Sequence, residues 1–294
     1  MNLVKTGIGG LDAILKGGFR PLSSVLIQGG PGAGKTILGL QCVVNGAMLF
    51  DEAAVIVTFD PFIEDLLRDA LGFGWDLREL QQRKKIKVIR LEPDALHSSF
   101  AERQSEAVNA ITNAAAETNA RRILVDGILY FRQYHPSGRA QRDVLSGFVG
   151  VLKSLNLTSF LTCELMDLSP QAVCEEEFTC DSVVRLHHFP RPRFGGRRRM
   201  LEMIKSRGQD FLDGLHPFWF SPEGIRVLPI DSAQFLDLLR DLNAAVAAMR
   251  GRDEESDHLR RAAHGLTEEV AHYLGMGASD LEAWTAPPGE QETT

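Results

Sequence analysis

The run Gly29-Gly30-Pro31-Gly32-Ala33-Gly34-Lys35-Thr36 satisfies the pattern G-x-x-x-x-G-K-[ST] and follows an apolar stretch, Ser24 to Gln28, that reads as a buried strand. This pattern demands a strand, a glycine turn and a helix in immediate succession. Glycine lets backbone N–H groups turn inward around an anion, and the helix that follows adds its positive N-terminal end. A nucleoside triphosphate uses every part of such a cradle. The expected nucleotide-binding set is Gly30, Gly32, Ala33, Gly34, Lys35, Thr36 and Ile37, with Lys35 reaching the β- and γ-phosphates and the Thr36 hydroxyl ligating Mg2+. An apolar, breaker-poor segment from Ile37 to Met48 supplies the helix.

The chain has 294 residues, 44% of them apolar and 24% charged, which suits one large α/β domain with an appendage. No apolar stretch is long enough to span a bilayer, and Met1 to Lys5 lacks a signal-peptide core, so a cytoplasmic protein without membrane contact is expected. Cys42, Cys163, Cys174 and Cys180 have no metal-ligand spacing and read as reduced, packed thiols. The net charge of −7 is uneven. From Asp231 onward there are 13 acidic and 5 basic side chains, which leaves residues 1–230 near neutral at +1. Without a basic field, free-standing affinity for nucleic acid is not expected, because phosphate neutralisation supplies most of that binding energy. Arg191, Arg193, Arg197, Arg198 and Arg199 surround Phe194-Gly195-Gly196, where glycines and prolines mark a hairpin tip or subunit contact.

Apolar runs recur at α/β spacing at Val55 to Phe59, Ile86 to Leu91, Ile123 to Val125 and Ser159 to Cys163. Helical stretches lie between them at Glu64 to Leu71, Ala101 to Thr118 and Arg142 to Leu155. This alternation predicts a mainly parallel sheet with helices on both faces. Four short runs then follow without helices between them, Ser182 to Leu186, Arg199 to Ile204, Pro217 to Ser221 and Gly224 to Leu228, which predicts an antiparallel extension. Phe235, Leu238, Leu239, Leu242, Val246 and Met249 form a helical stripe, a second helical segment runs from His258 to Leu274, and residues 286–294 read as a disordered tail. The expected division is 1–230, 231–285 and 286–294.

Nucleotide hydrolysis needs a carboxylate that orients the metal and another that positions the attacking water. Asp126 ends the apolar run Arg122-Ile123-Leu124-Val125 and suits the first role. Asp60 follows the strand ending at Phe59 and is the candidate for the second. It is one methylene shorter than glutamate and precedes Pro61, so as a catalytic group it would be slow, and an Asp-Pro turn that fixes the loop is the alternative.

Taken together, Thr6 to Asp12, Gly17-Gly18-Phe19, Gly29 to Thr36, Asn45-Gly46-Ala47, Phe73-Gly74-Trp75-Asp76-Leu77 and Lys205-Ser206-Arg207-Gly208 resemble, in order and spacing, the KaiC-like branch of the RecA/RadA ATPase superfamily. The resemblance covers about residues 3–228. It implies an α/β fold with a RecA-like P-loop NTPase core, antiparallel extension and helical C-terminal appendage, and ATP with Mg2+ held at subunit interfaces of a homo-hexameric ring. By the same resemblance, Lys205, Ser206 and Arg207 belong to the nucleotide site, with Lys205 and Arg207 as the finger that reaches a neighbour's ATP. Members that hydrolyse or autophosphorylate commonly carry Glu-Glu where this chain has Asp60-Pro61. The stretch Glu176 to Asp181 looks like the family's non-phosphorylated domain, although Thr179 and Ser182 lie nearby. The expected activity is a slow regulatory ATPase that signals to a protein partner through its C-terminal helices. A nucleotide sensor with little turnover and a DNA-stimulated recombinase-like ATPase are the alternatives.

Overall fold

The computed structural model describes residues 2–92, 103–129, 138–165, 174–190 and 197–231, together with three isolated helical positions at 258, 261 and 265. The chain divides into two compact units, one of Met1–Leu212 with His216–Pro229 and one of Asp213–Leu215 with Ile230–Thr294. The stripe from Phe235 to Met249, the rest of the segment 258–274 and the tail 286–294 lie outside the described residues, as do Arg191 to Gly196.

The described strands are β1 (Ser24–Gly29), β2 (Ala54–Thr58), β3 (Ile86–Arg90), β4 (Arg122–Asp126), β5 (Thr158–Glu164), β6 (Ser182–Pro190), β7 (Arg197–Ser206), β8 (Leu215–Ser221) and β9 (Gly224–Val227). The helices are α1 (Leu11–Ile14), α2 (Lys35–Leu49), α3 (Ile63–Leu71), α4 (Leu77–Gln82), α5 (Arg103–Thr118), α6 (Gly138–Ser154) and α7 (Glu175–Thr179). One sheet joins the strands in the order β3-β2-β4-β5-β1-β6-β7-β8-β9. Pairing is parallel from β3 through to β6, and antiparallel for β6 with β7 and for β8 with β9. The expected parallel sheet and its antiparallel extension are both present.

Alternate residues of the central strands feed two separate cores, as strands covered on both faces must. Val25 and Ile27 of β1 and Leu124 of β4 pack with α2, α3 and α4 on one face. Leu26 of β1 and Ile123 and Val125 of β4 pack with α5 and α6 on the other. All four cysteines are free thiols and buried, and no described helix is long and apolar enough to cross a membrane. Helix α6 begins at Gly138, four residues before the apolar periodicity signals it.

Two sequence motifs far from the phosphate loop acquire a structural reason. Asp12 closes the N-terminal loop: its Oδ1 accepts hydrogen bonds from Thr6 N at 2.8 Å and Thr6 Oγ1 at 2.7 Å, and its Oδ2 accepts from Gly7 N at 3.0 Å. Asn45 Nδ2 then donates to Thr6 O at 3.1 Å, which ties that loop to α2. Gly46 is where Arg122 crosses beneath α2, and a Cβ there would lie 2.5 Å from Arg122 Nε.

Candidate active site

Strand β1 ends at Gly29, and the loop to α2 turns through Gly32 (φ +68°) and Gly34 (φ +104°), conformations that L side chains rarely adopt. Lys35 opens α2 and donates from Nζ to Gly30 O at 2.9 Å, folding its side chain back over the cradle. Burial holds the Lys35 ammonium below its ordinary pKa, against the opposing pull of Glu164, Cys163 and Asp126. A bound triphosphate would relieve that, because anionic oxygens favour the charged ammonium.

Thr36 Oγ1 lies 3.1 Å from each carboxylate oxygen of Asp126, the last residue of β4. Thr162 Oγ1, from the neighbouring strand β5, donates to Asp126 Oδ1 at 2.6 Å and accepts from Gly127 N at 2.8 Å. The carboxylate is therefore oriented from two sides toward the head of α2. Burial raises the Asp126 pKa, opposed by the hydrogen bonds from Thr162 and Thr36 and by Lys35, while Asp60 pushes in the same direction as burial. A hydroxyl beside a buried, oriented carboxylate at the head of a phosphate loop is a donor set that fits a hard divalent cation.

The Asp126 shift has a consequence for stability. A carboxyl whose folded pKa is raised binds its proton more tightly in the folded state, so its contribution is present below the unfolded pKa and lost as pH rises through the folded value. Asp126→Asn is therefore expected to raise the thermal midpoint of the ligand-free protein at neutral pH. The gain should vanish in acid, below the ordinary carboxylate range. A midpoint lowered by Asp126→Asn at neutral pH would show that the charged carboxylate stabilises the empty site instead.

Asp60 stands two residues beyond the end of β2 and is exposed. Its Oδ1 accepts from Phe62 N at 2.8 Å, and its own N–H donates to Thr58 Oγ1 at 3.0 Å, the hydrogen bonding of a turn. In the strand order, β4 and β5 separate β2 from β1. A carboxylate that sequence reasoning missed, Glu164, is nearer the loop. It ends β5, pairs in register with Gly29 and acts on Lys35. Glu164 also follows an apolar run, but what brings it to the loop is the place of β5 beside β1 in the strand order.

A second unrecognised group surrounds the loop's last glycine. A Cβ on Gly34 would come within 2.9 Å of Phe220 Cζ in β8. The Phe220 ring lies 6.3 Å from Phe73, which stacks on Trp75 at 5.1 Å, and the Arg199 guanidinium sits 4.8 Å over Phe220. Arg199 thus belongs within β7 and to the neighbourhood of the phosphate loop, whereas its sequence placed it with a surface cluster at a hairpin tip.

Lys205, Ser206 and Arg207 do not join this site within the protomer. Lys205 Nζ donates to Glu177 O and Arg207 Nη2 to Phe178 O at 2.8 Å, both carbonyls of α7, while Ser206 Oγ lies 3.1 Å from Ser182 Oγ. Register explains the separation. Ser206 pairs with Ser182 and Ser182 with Val25, whereas Gly29, beneath the phosphate loop, pairs with Leu186. Because β7 runs antiparallel, its C-terminal end lies at the opposite end of the strands from the phosphate loop. Lys205 is level with Leu26, so it stands about 10 Å below Gly29 along the strand and about 10 Å aside, two strands over. Arg207 is farther still.

Fold and site together define a phosphate-loop nucleotide-binding α/β protein, with an oriented Thr–Asp pair and a basic segment directed away from its own loop. A family model described as "ATPase: KaiC" matches residues 4–232. The chain belongs to the KaiC ATPase family. Among its relatives are the circadian clock oscillator proteins KaiC of Parathermosynechococcus lividus, 32% identical over 78% of this chain and 43% of the relative, and of Synechococcus elongatus, 31% identical over 84% and 48%. That of Prochlorococcus marinus strain SARG is 34% identical over 76% of this chain and 45% of the relative. The chain therefore spans about half the length of the curated relatives it matches.

Proposed function

We propose that this chain is an ATP-binding, slowly hydrolysing regulatory ATPase that assembles into a closed homo-oligomeric ring, a hexamer on family resemblance. Nucleotide sits between subunits and the C-terminal segment 231–285 reports its state to a protein partner in the cytoplasm. The observation that carries the reading is the placement of Lys205 and Arg207 toward the end of the strands opposite their own phosphate loop. Cations so placed act on a nucleotide only if it belongs to another subunit.

In this reading the loop amides and Lys35 hold the β- and γ-phosphates. Thr36 and Asp126 would hold Mg2+, which would offset charge on the phosphate oxygens. Asp60 or Glu164 orients the attacking water and takes up its proton, while Lys205 and Arg207 of the adjacent subunit neutralise charge that builds on the γ-phosphate. The short carboxylate of Asp60, already hydrogen-bonded to Phe62 N, supports a low rate. In this reading the Phe220 ring beside Gly34, with the Arg199 guanidinium over it, contacts the base. Phe220→Ala is expected to raise the nucleotide KM about tenfold with kcat little changed, because base stacking is lost in ground and transition states alike. An equal KM in the variant would remove the base from that surface.

The turn at Asp60 also favours a second reading, a nucleotide sensor that scarcely hydrolyses. Steady-state ATP hydrolysis by wild type, Asp60→Ala and Glu164→Ala, with mass measured in the same buffer with and without ATP, separates the two. Ring formation on ATP, with turnover lost in one of the carboxylate variants, is the expected result. Nucleotide binding without turnover would establish the sensor, and a monomer at saturating ATP and Mg2+ would overturn the ring.

A further inference from the structure

Beneath the phosphate loop lies a buried polar cluster that the proposed chemistry does not use. Gln28, the residue before Gly29, is fully buried, and its Nε2 donates to Glu177 Oε1 at 3.1 Å. The same oxygen accepts from Cys174 N at 3.2 Å and from Arg185 Nη2 at 3.0 Å. Glu177 and Arg185 are both buried, with side chains 9% and 6% exposed. One carboxylate oxygen therefore gathers β1, β6 and the start of α7 at a single point. Burying an ion pair costs several kcal/mol of desolvation, and an apolar pair would hold three elements together as well or better.

What distinguishes this point is what α7 carries at its other end. The main-chain carbonyls of Glu177 and Phe178 hold the Lys205 ammonium and the Arg207 guanidinium. Asp181, two residues past α7, accepts from Ser24 N and Ser24 Oγ, each at 2.9 Å, and pairs with Lys153 at 2.6 Å, which fixes the helix from below. From the N-terminal side, Arg20 Nη1 donates to Arg207 O at 3.0 Å. Helix α7 is thus clamped by its side chain to the strand that enters the phosphate loop, and by its backbone to both finger cations.

We propose that Glu177 is a positioning residue for the finger: docked on Gln28 and Arg185, it sets where α7 presents Lys205 and Arg207, and so links a protomer's own phosphate loop to the cations it offers its neighbour. The inference rests on the proposed finger role. A one-residue contact carries it in each direction. Gln28 precedes Gly29, so a shift of the loop on filling moves Glu177, and Glu177 O moves Lys205 Nζ.

The test is a double-mutant cycle on the full chain, with ATP turnover and fluorescent-nucleotide affinity measured for wild type, Glu177→Gln, Lys205→Ala and the double variant. Glu177→Gln is expected to lower kcat about tenfold with nucleotide affinity unchanged, and the double variant to be no slower than Lys205→Ala alone, since residues acting as one unit are non-additive. Additive losses, or a Glu177→Gln kcat within about twofold of wild type, would overturn the inference while leaving the finger intact. If Lys205→Ala itself turns over as wild type does, the finger reading falls and this inference with it. Gln28→Met, which keeps length and removes the donor, provides the same cycle should Glu177→Gln not fold, with the same outcomes deciding it.

Discussion

Lys35→Ala is expected to lower ATP turnover by about three orders of magnitude, the scale on which removal of a preorganised cation at a transferring phosphoryl group acts. The fold should be unaffected. Among the described residues the Lys35 side chain makes one hydrogen bond, to Gly30 O, and its ammonium is held below its ordinary pKa by burial, so the empty site loses little with it. The variant's thermal midpoint without nucleotide is expected at or slightly above that of wild type, while the rise in midpoint that ATP produces in wild type should be largely absent. Turnover within tenfold of wild type would mean that Lys35 does not serve the phosphates.

Glu52→Ala should produce the largest loss of stability. Arg122 opens β4 with its side chain 1% exposed, and Glu52 Oε2 pairs with its Nη2 at 2.5 Å and its Nε at 2.6 Å. Nη1 donates to Cys42 O at 2.7 Å, and the Phe50 ring centroid lies 5.5 Å away. Removing the carboxylate strands a charge under α2, which costs about 3 kcal/mol when one partner of a buried pair is deleted. In a domain of this size that corresponds to roughly 6–12 °C in thermal midpoint. Deleting the charge as well, in Glu52→Ala with Arg122→Met, should recover most of the loss. A single variant within 2 °C of wild type would show that water compensates Arg122 through the partly exposed Glu52 side. Gly46→Ala is expected to lose stability by a related route, though less, since its Cβ would meet the same guanidinium.

What could be read from the residue order depended on how local each feature is. The phosphate loop was legible because strand, glycines, lysine and threonine are contiguous, and Asp126 because a carboxylate ends an apolar run. Glu164 was not, since its relevance follows from β5 lying between β4 and β1, and strand order is a long-range property. Helices α1, α4 and α7 are four to six residues long and show no full period of apolar positions. The platform at Phe220 brings together residues 34, 73, 199 and 220, which no window along the chain contains. Lys205 and Arg207 were singled out by family resemblance alone. Their direction, away from their own loop, emerged only from the antiparallel register of β7 on β6.

That direction is the central claim, and complementation tests it most directly. One population would carry Lys35→Ala, with a disabled loop and an intact finger, and the other Lys205→Ala with Arg207→Ala, an intact loop without its finger. Each should be nearly inactive alone. Mixed in equal amounts under conditions that allow subunit exchange, they should recover up to about a quarter of wild-type turnover, because a working interface needs one neighbour of each kind in a closed ring. A mixture no more active than its two components would contradict the account and assign Lys205 and Arg207 to a role within their own subunit.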